Sequence, residues 1–265
     1  MTSLLEVSDL TVRYRGAAAL GGVTLTIARG ETLALVGESG SGKSTLGNAI
    51  LGLVGAASGT ITFDGQDITH ASPRTRRALT SHIQPIFQDP YSSLNPVRPI
   101  GKALAEPLRA HAKLDATTVR ARVAAALEQV GLPPAAAGLY PAQFSGGQRQ
   151  RIAIARALML SPQLVVCDEP LSALDLSVQA QVLNLLKALQ RDLGLSYLFI
   201  THDLAIVPHI AHRVAVLYQG QIVETGTVAS VCGQPSHPYT RRLIAAAPVP
   251  DPVEQRARRR AMESR

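Results

Sequence analysis

Eight residues, Gly37-Glu38-Ser39-Gly40-Ser41-Gly42-Lys43-Ser44, combine glycines, a lysine and a hydroxyl at a spacing that suits a polyphosphate. Glycines let backbone N–H groups wrap the phosphates, Lys43 can neutralise the β and γ groups, and the Ser44 hydroxyl can bind Mg²⁺. Thr45 can reach the α-phosphate. A glycine-rich helix cap would explain the glycines but not the lysine and hydroxyl beside them. A second group lies far along the chain, where Leu164-Val165-Val166-Cys167 runs into Asp168-Glu169. Asp168 is suited to hold Mg²⁺ directly or through water. Glu169 is suited to polarise an attacking water as a general base, a contribution of roughly 10²–10⁴-fold in rate.

Three more polar side chains end strand-like runs. Gln88 follows Ile83 to Phe87, and its amide can contact Mg²⁺ or the attacking water without adding charge. His202, in Thr201-His202-Asp203, is placed for a γ-phosphate contact, although a lone histidine is more often structural. Tyr14 precedes the phosphate loop and either stacks on adenine or packs at the end of its strand.

Phe144-Ser145-Gly146-Gly147-Gln148 forms a further anion-binding candidate. Ile152, Ala155, Leu158 and Met159 recur behind it at helical spacing. Ser145 and the two glycines then open a helix, where free N–H groups and the helix dipole favour an anion. An ordinary glycine turn capping a helix is the plainer reading. Asp175, in Ser172-Ala173-Leu174-Asp175, is placed to cap the next helix, which is compatible with a role between subunits.

The elements that must position these groups can be read from periodicity. Leu4 to Tyr14 alternates like a strand, and Val23 to Ile27 is another. Thr32 to Val36 is an apolar run into the phosphate loop, with a helix over Ser44 to Leu53, so the loop has the strand-to-helix setting its pattern requires. Thr60 to Phe63 with Asp64-Gly65 reads as strand and turn. From Ile100 to Met159 the pattern is helical, with Val119, Val123, Leu127 and Val130 on one face. Leu164 to Cys167 and Tyr197 to Ile200 are buried strands, since continuous apolar runs fit a parallel sheet covered on both faces. Carboxylates at the C-terminal end of such a strand emerge where open α/β sheets bind ligands. Val178 to Leu193 is an amphipathic helix, and Val214 to Glu224 is a hairpin turning at Gln219-Gly220. Beyond Cys232 no core pattern is evident.

Composition narrows the classes. With 265 residues, 46% hydrophobic and 17% charged, the chain can bury a substantial core. Two cysteines in unrelated segments rule out a disulfide framework and metal-ligand spacing, and suggest a reducing compartment. No apolar stretch is long enough to span a bilayer, and Glu6, Asp9 and Arg13 break any signal-peptide pattern. The net charge of +7 owes much to Arg256, Arg258, Arg259, Arg260 and Arg265 in the tail. Without interleaved aromatics or a nucleic-acid motif, a solvated tail explains it better than a nucleic-acid surface.

Taken together, Tyr14, Gly37 to Thr45, Gln88, Phe144 to Gln148, Asp168-Glu169, Asp175 and His202 resemble, in order and spacing, an ATPase subunit of the ATP-binding cassette (ABC) transporters. The resemblance implies an α/β fold: a RecA-like P-loop core with an antiparallel β subdomain and an inserted α-helical subdomain. It divides the single ABC domain into a core of residues 1–89 and 160–230, a helical and signature part at 90–159, and a tail at 231–265. It implies ATP and Mg²⁺ as ligands and a head-to-tail pair with a second ATPase subunit, either a paralogue or an identical copy. Ser145 to Gln148 then complete the partner's ATP site, because Lys43, Glu169 and His202 already serve the local phosphates. Asp175 joins the nucleotide-contacting set. Two permease subunits and, indirectly, an extracytoplasmic solute-binding protein are the further partners, with this chain peripheral on the cytoplasmic face of the membrane.

Phe87-Gln88-Asp89-Pro90-Tyr91-Ser92-Ser93-Leu94-Asn95-Pro96 and His237-Pro238-Tyr239-Thr240-Arg241 resemble the oligopeptide, dipeptide and nickel importer branch, in the form of its second ATPase. Peptide uptake is the expected function. A nickel or metal-chelate importer and a non-transport accessory protein of phosphonate breakdown are the alternatives. Phe144 departs from the family's usual leucine, an apolar exchange, and Cys232 alone cannot ligate the iron–sulfur cluster that some relatives carry.

Overall fold

The computed structural model describes residues 3–14, 16–89 and 94–246. Pro90 to Ser93 of the importer-like segment and the tail arginines from Arg256 to Arg265 lie outside the described residues. In chain order the strands are β1 (Ser3–Tyr14), β2 (Ala17–Ala28), β3 (Thr32–Val36), β4 (Ser58–Phe63), β5 (Gln66–Asp67), β6 (Ile83–Ile86), β7 (Leu164–Asp168), β8 (Ser196–Thr201), β9 (Arg213–Tyr218) and β10 (Gln221–Thr227). The helices are α1 (Lys43–Leu51), α2 (Pro73–Leu79), α3 (Ile100–His111), α4 (Ala116–Gln129), α5 (Gly146–Leu158), α6 (Leu176–Leu193), α7 (Val207–Ile210), α8 (Val228–Gly233) and α9 (Pro238–Ala246). They form two compact units, one from the residues up to Ala71 with those from Tyr197 onward, the other Ser72–Ser196.

The first unit holds an antiparallel sheet in the order β2-β1-β4-β5. β2 begins at Ala17, ahead of its apolar stretch, because Ala17, Ala18 and Leu20 pair across the hairpin with Tyr14, Arg13 and Val12. Pairing with β1 extends the strand where hydrophobicity does not. The same unit holds β3 between β8 and β9, parallel to both, with β10 antiparallel to β9. Every residue of β3 and of β8 is buried, which is why both read as unbroken apolar runs. Gln219 and Gly220, at φ 48° and 77°, make the left-handed two-residue turn that suits a twisted hairpin. Ala34, Val36, Val207, Val214, Val216, Val231 and Tyr239 share one core. Each large apolar side chain there contributes about 1.5–3 kcal/mol by leaving water.

The second unit pairs β6 and β7 in parallel and surrounds them with helices. Polar caps set where those helices start. Ser72 accepts from Thr75 N–H with Pro73 next to it, Asp115 accepts from Thr117 and Thr118 N–H, and Asp175 accepts from Val178 N–H. Gly194, at φ 67°, ends α6. The buried faces of α3, α4 and α5 are lined by Leu104 and Leu108, by Val123 and Leu127, and by Ile152 and Ala155. Among the described residues no helix is long and apolar enough to cross a membrane.

Candidate nucleotide site

In the first unit the register carries the phosphate loop and His202 to one edge. Val36 is level with Thr201 of β8 and with Val216 of β9, so Gly37 and His202 leave β3 and β8 side by side, beside Leu217 of β9. Backbone conformation then demands glycine. Gly42 has φ 109°, and a Cβ on it would lie 2.7 Å from the Ala19 carbonyl oxygen and 2.8 Å from Leu20 Cδ2. Lys43 follows at the start of α1 and is buried, its Nζ donating to the Gly37 and Glu38 carbonyls at 2.8 Å each. Ser39, Gly40 and Ser44 are exposed, whereas Thr45 is half-buried. The buried Ser41 Oγ has no hydrogen-bond partner among the described residues. A pocket of backbone turns around a buried ammonium, with an unsatisfied hydroxyl, fits an anion.

Tyr14 is exposed at the end of β1, opposite Ala17 of the strand that presses Ala19 and Leu20 against Gly42. His202 is exposed just past β8, where Thr201 Oγ1 accepts the Asp203 N–H at 3.0 Å and shapes the exit.

The second unit groups the remaining candidates. Ile86 is level with Cys167, so Gln88 and Glu169 leave two parallel strands at the same edge. Gln88 is exposed, and Asp168 and Glu169 are half-buried. Glu169 stands at φ 48°, and its carbonyl accepts from both the N–H and the hydroxyl of Ser172 at 3.3 and 3.1 Å. Behind the pair, Cys167 is fully buried, and burial together with the adjacent Asp168 charge pushes its thiol far above the ordinary range.

Ser145 caps α5 in a reciprocal box. Its Oγ accepts from Gln148 N–H at 3.3 Å, and Gln148 Oε1 accepts from Ser145 N–H at 3.0 Å. That arrangement places Gly146 and Gly147 in the first turn, where amides lack partners within the helix. Phe144, just before the cap, is buried, so the aromatic side chain at this position is accommodated in the interior. Asp175 Oδ1 accepts from Ser177 Oγ at 2.7 Å and Val178 N–H at 3.0 Å, and these bonds hold its carboxyl below the usual range.

Thus the phosphate loop, Tyr14 and His202 belong to one unit, and Gln88, Asp168, Glu169 and the Ser145–Gln148 turn to the other. Within the second unit, the Gln88 amide and the Asp168 carboxylate supply oxygen donors of the kind a hard divalent cation takes. Both cysteines are free, and among the described residues no cluster of three or more His, Cys, Asp or Glu could hold a metal alone. One departure from the sequence reading concerns the segment after Cys232. It folds as α9, with Tyr239 buried and Leu243 and Ile244 packed on the same core. Arg241 and Arg242 sit between those apolar positions and hide the face. Pro238, suited to a first helical turn, was the available signal.

A phosphate-binding strand–loop–helix together with a capped Ser-Gly-Gly-Gln turn defines an ATP-binding cassette. The chain belongs to the ABC transporter family, whose model matches residues 20–172. Residues 223–265 match the oligopeptide/dipeptide transporter C-terminal region. The chain is 52% identical to the oligopeptide transport ATP-binding protein OppF of Escherichia coli K12, over 94% of this chain and 79% of that protein. It is 55% identical to the glutathione import ATP-binding protein GsiA of the same organism, over 97% of this chain but only 43% of that longer protein. Among solved structures, cbiO1 of Clostridium perfringens, part of the transporter complex cbiONQ, superposes with a TM-score of 0.81 at 31% identity, over 88% of this chain and 92% of that one. The cassette MJ0796, dimeric and bound to ADP and phosphate after hydrolysis, does so at 0.76 and 28% identity, over 84% and 98%.

Proposed function

We propose that this chain is the ATP-hydrolysing subunit of an ABC importer that energises uptake of peptides across the cytoplasmic membrane. The carrying observation is that one chain joins the phosphate loop to the oligopeptide/dipeptide C-terminal region at residues 223–265. In this reading the loop residues Gly37, Ser39, Gly40, Ser41 and Gly42 and the Lys43 ammonium bind the β- and γ-phosphates of ATP, Thr45 the α-phosphate, and Tyr14 the adenine. His202 contacts the γ-phosphate. Glu169 accepts a proton from the attacking water as the new P–O bond forms and the bond to the β-phosphate breaks, and Gln88 orients that water. Ser44, Gln88 and Asp168 would hold Mg²⁺, which when bound neutralises phosphate charge. Ser145, Gly146, Gly147, Gln148 and Asp175 serve the ATP of a second ATPase subunit; the similar cassette MJ0796 is itself dimeric.

The segment after Gln88 is assigned to coupling, with two permease subunits forming the path and a solute-binding protein delivering cargo. Glutathione, itself a tripeptide, is the first cargo to try. The test is coexpression with permease and binding-protein subunits. Copurification, and ATP turnover stimulated by peptide-loaded binding protein, are expected. Turnover indifferent to peptide but stimulated by a nickel-chelate-loaded protein would replace the cargo, and failure to associate with any permease would overturn the importer reading.

A further inference from the structure

The Gly37–Glu38 stretch of the phosphate loop is gripped from the far end of the chain. Glu38 N–H donates to the Tyr239 hydroxyl at 3.0 Å. Tyr239 is 2% exposed, and its ring stacks on Tyr218 with centroids 4.1 Å apart and planes tilted 31°. Tyr218 ends β9, the strand level with β3 where the loop begins. Burial raises the Tyr239 hydroxyl above its ordinary range, so it stays neutral near pH 7.

The helix carrying Tyr239 is itself tied down. Glu224 of β10 accepts from Ser236 N–H and Oγ at 2.8 Å each and from His237 N–H at 3.1 Å. His237 Nδ1 accepts from Tyr239 N–H at 3.2 Å, and Arg241 donates to the Pro235 and Ser236 carbonyls at 3.0 and 3.1 Å. These contacts fix the turn entering α9 and so the aim of the Tyr239 hydroxyl. The grip differs from the one Lys43 supplies. Lys43 Nζ holds the Gly37 and Glu38 carbonyls, but phosphate competes for the same ammonium. The Tyr239 hydroxyl instead holds the Glu38 N–H, which is not among the groups assigned to phosphate, so this grip can persist when nucleotide enters.

We propose that Tyr239 is a positioning residue for ATP binding, holding the Gly37–Glu38 peptide in its phosphate-receiving conformation and making nucleotide affinity depend on docking of the C-terminal helix. The proposal rests on the reading of this loop as the ATP site.

The test compares the full chain with its Tyr239→Phe variant, which keeps the ring on Tyr218 and removes only the hydroxyl. ATP titration should show affinity about fivefold weaker, the scale of one neutral hydrogen bond. In the assembled complex KM for ATP should rise by a similar factor, with kcat within about twofold. Amide hydrogen exchange without nucleotide should accelerate at residues 37–41 and not across the rest of the unit. Unchanged ATP affinity in the variant overturns the proposal. So does faster exchange spread through the whole unit, which would make Tyr239 a core residue only. A wild-type chain that fails to bind ATP would instead sink the reading of the loop, an outcome seen before any variant is compared.

Discussion

Gly147→Ala separates two reasons for the second glycine of the Ser145–Gln148 turn. One is close approach of its amide to a ligand. The structure supplies the other, because a Cβ on Gly147 would stand 2.3 Å from Val178 Cγ1 of α6. Ordinary carbon contacts lie near 3.5–4.0 Å, so the two helices must part by more than about 1 Å or Val178 must change rotamer. Overpacking of this kind costs about 1–3 kcal/mol. Alanine in a helix gains about 1 kcal/mol over glycine, less in a first turn. The balance is a loss of about 1–2 kcal/mol, or roughly 2–8 °C in melting temperature for a chain of this size. Val178→Ala removes the opposing methyls. In a double-mutant cycle on the nucleotide-free chain, Gly147→Ala should then become harmless, with a coupling energy of about 1 kcal/mol or more. Gly147→Ala that is neutral or stabilising, or a cycle with no coupling, would refute the packing explanation and leave ligand approach as the sole demand for glycine.

Other outcomes follow from the same site. Glu169→Gln should retain ATP binding while turnover in the assembled complex falls roughly 10²–10⁴-fold, and near-normal steady-state hydrolysis would remove it as the base. Lys43→Ala should weaken ATP affinity in an equilibrium titration, and unchanged affinity would take the ammonium out of the site. Ser145→Arg should prevent an ATP-bound dimer, read by sedimentation with Glu169→Gln present to block turnover, and a dimer of unchanged stability would count against the role toward a partner. Glu224 gives a pH signature. Partial burial raises its carboxyl, but hydrogen bonds from the Ser236 N–H and hydroxyl and the His237 N–H outweigh that and hold it at about 2, below the ordinary 4.5. A depressed carboxyl stabilises fully above its unfolded pKa and loses that contribution as pH falls toward the folded one. Protection of α9 from hydrogen exchange should therefore weaken between about pH 4.5 and pH 2, and Glu224→Gln should flatten that dependence.

How much could be read in advance depended on whether a feature was local. Leu164 to Cys167 was legible as a buried parallel strand, since burial on both faces leaves an unbroken apolar run, and Thr32 to Val36 as a strand leading into the phosphate loop. The Gln219-Gly220 hairpin and the caps at Asp175 and Ser145 were legible because turn and cap chemistry sits within a few residues. The onset of β2 was not, because its first residues are strand only through pairing with Tyr14, Arg13 and Val12. Nor was the packing demand on Gly147, whose neighbour Val178 is a helix away. The Tyr239 contact joins positions 201 residues apart, and nothing near either end announces the other.

Glu169 shows where local rules give way. Non-glycine residues with positive φ are Asp9, Asp64, Ser161, Glu169 and Gln219 among those described. Asp64 and Gln219 sit in strand-to-strand turns, and aspartate tolerates that conformation because its short side chain bonds nearby backbone. Glutamate, one methylene longer, is not among the residues that adopt that conformation routinely. Its backbone is held there by the two Ser172 donors on its carbonyl, bonds that a glycine could accept equally well and with less strain. Turn geometry alone would therefore favour glycine after β7. The carboxylate stands there against local preference, at the edge it shares with Gln88, and backbone held in such sparsely populated conformations clusters at functional sites.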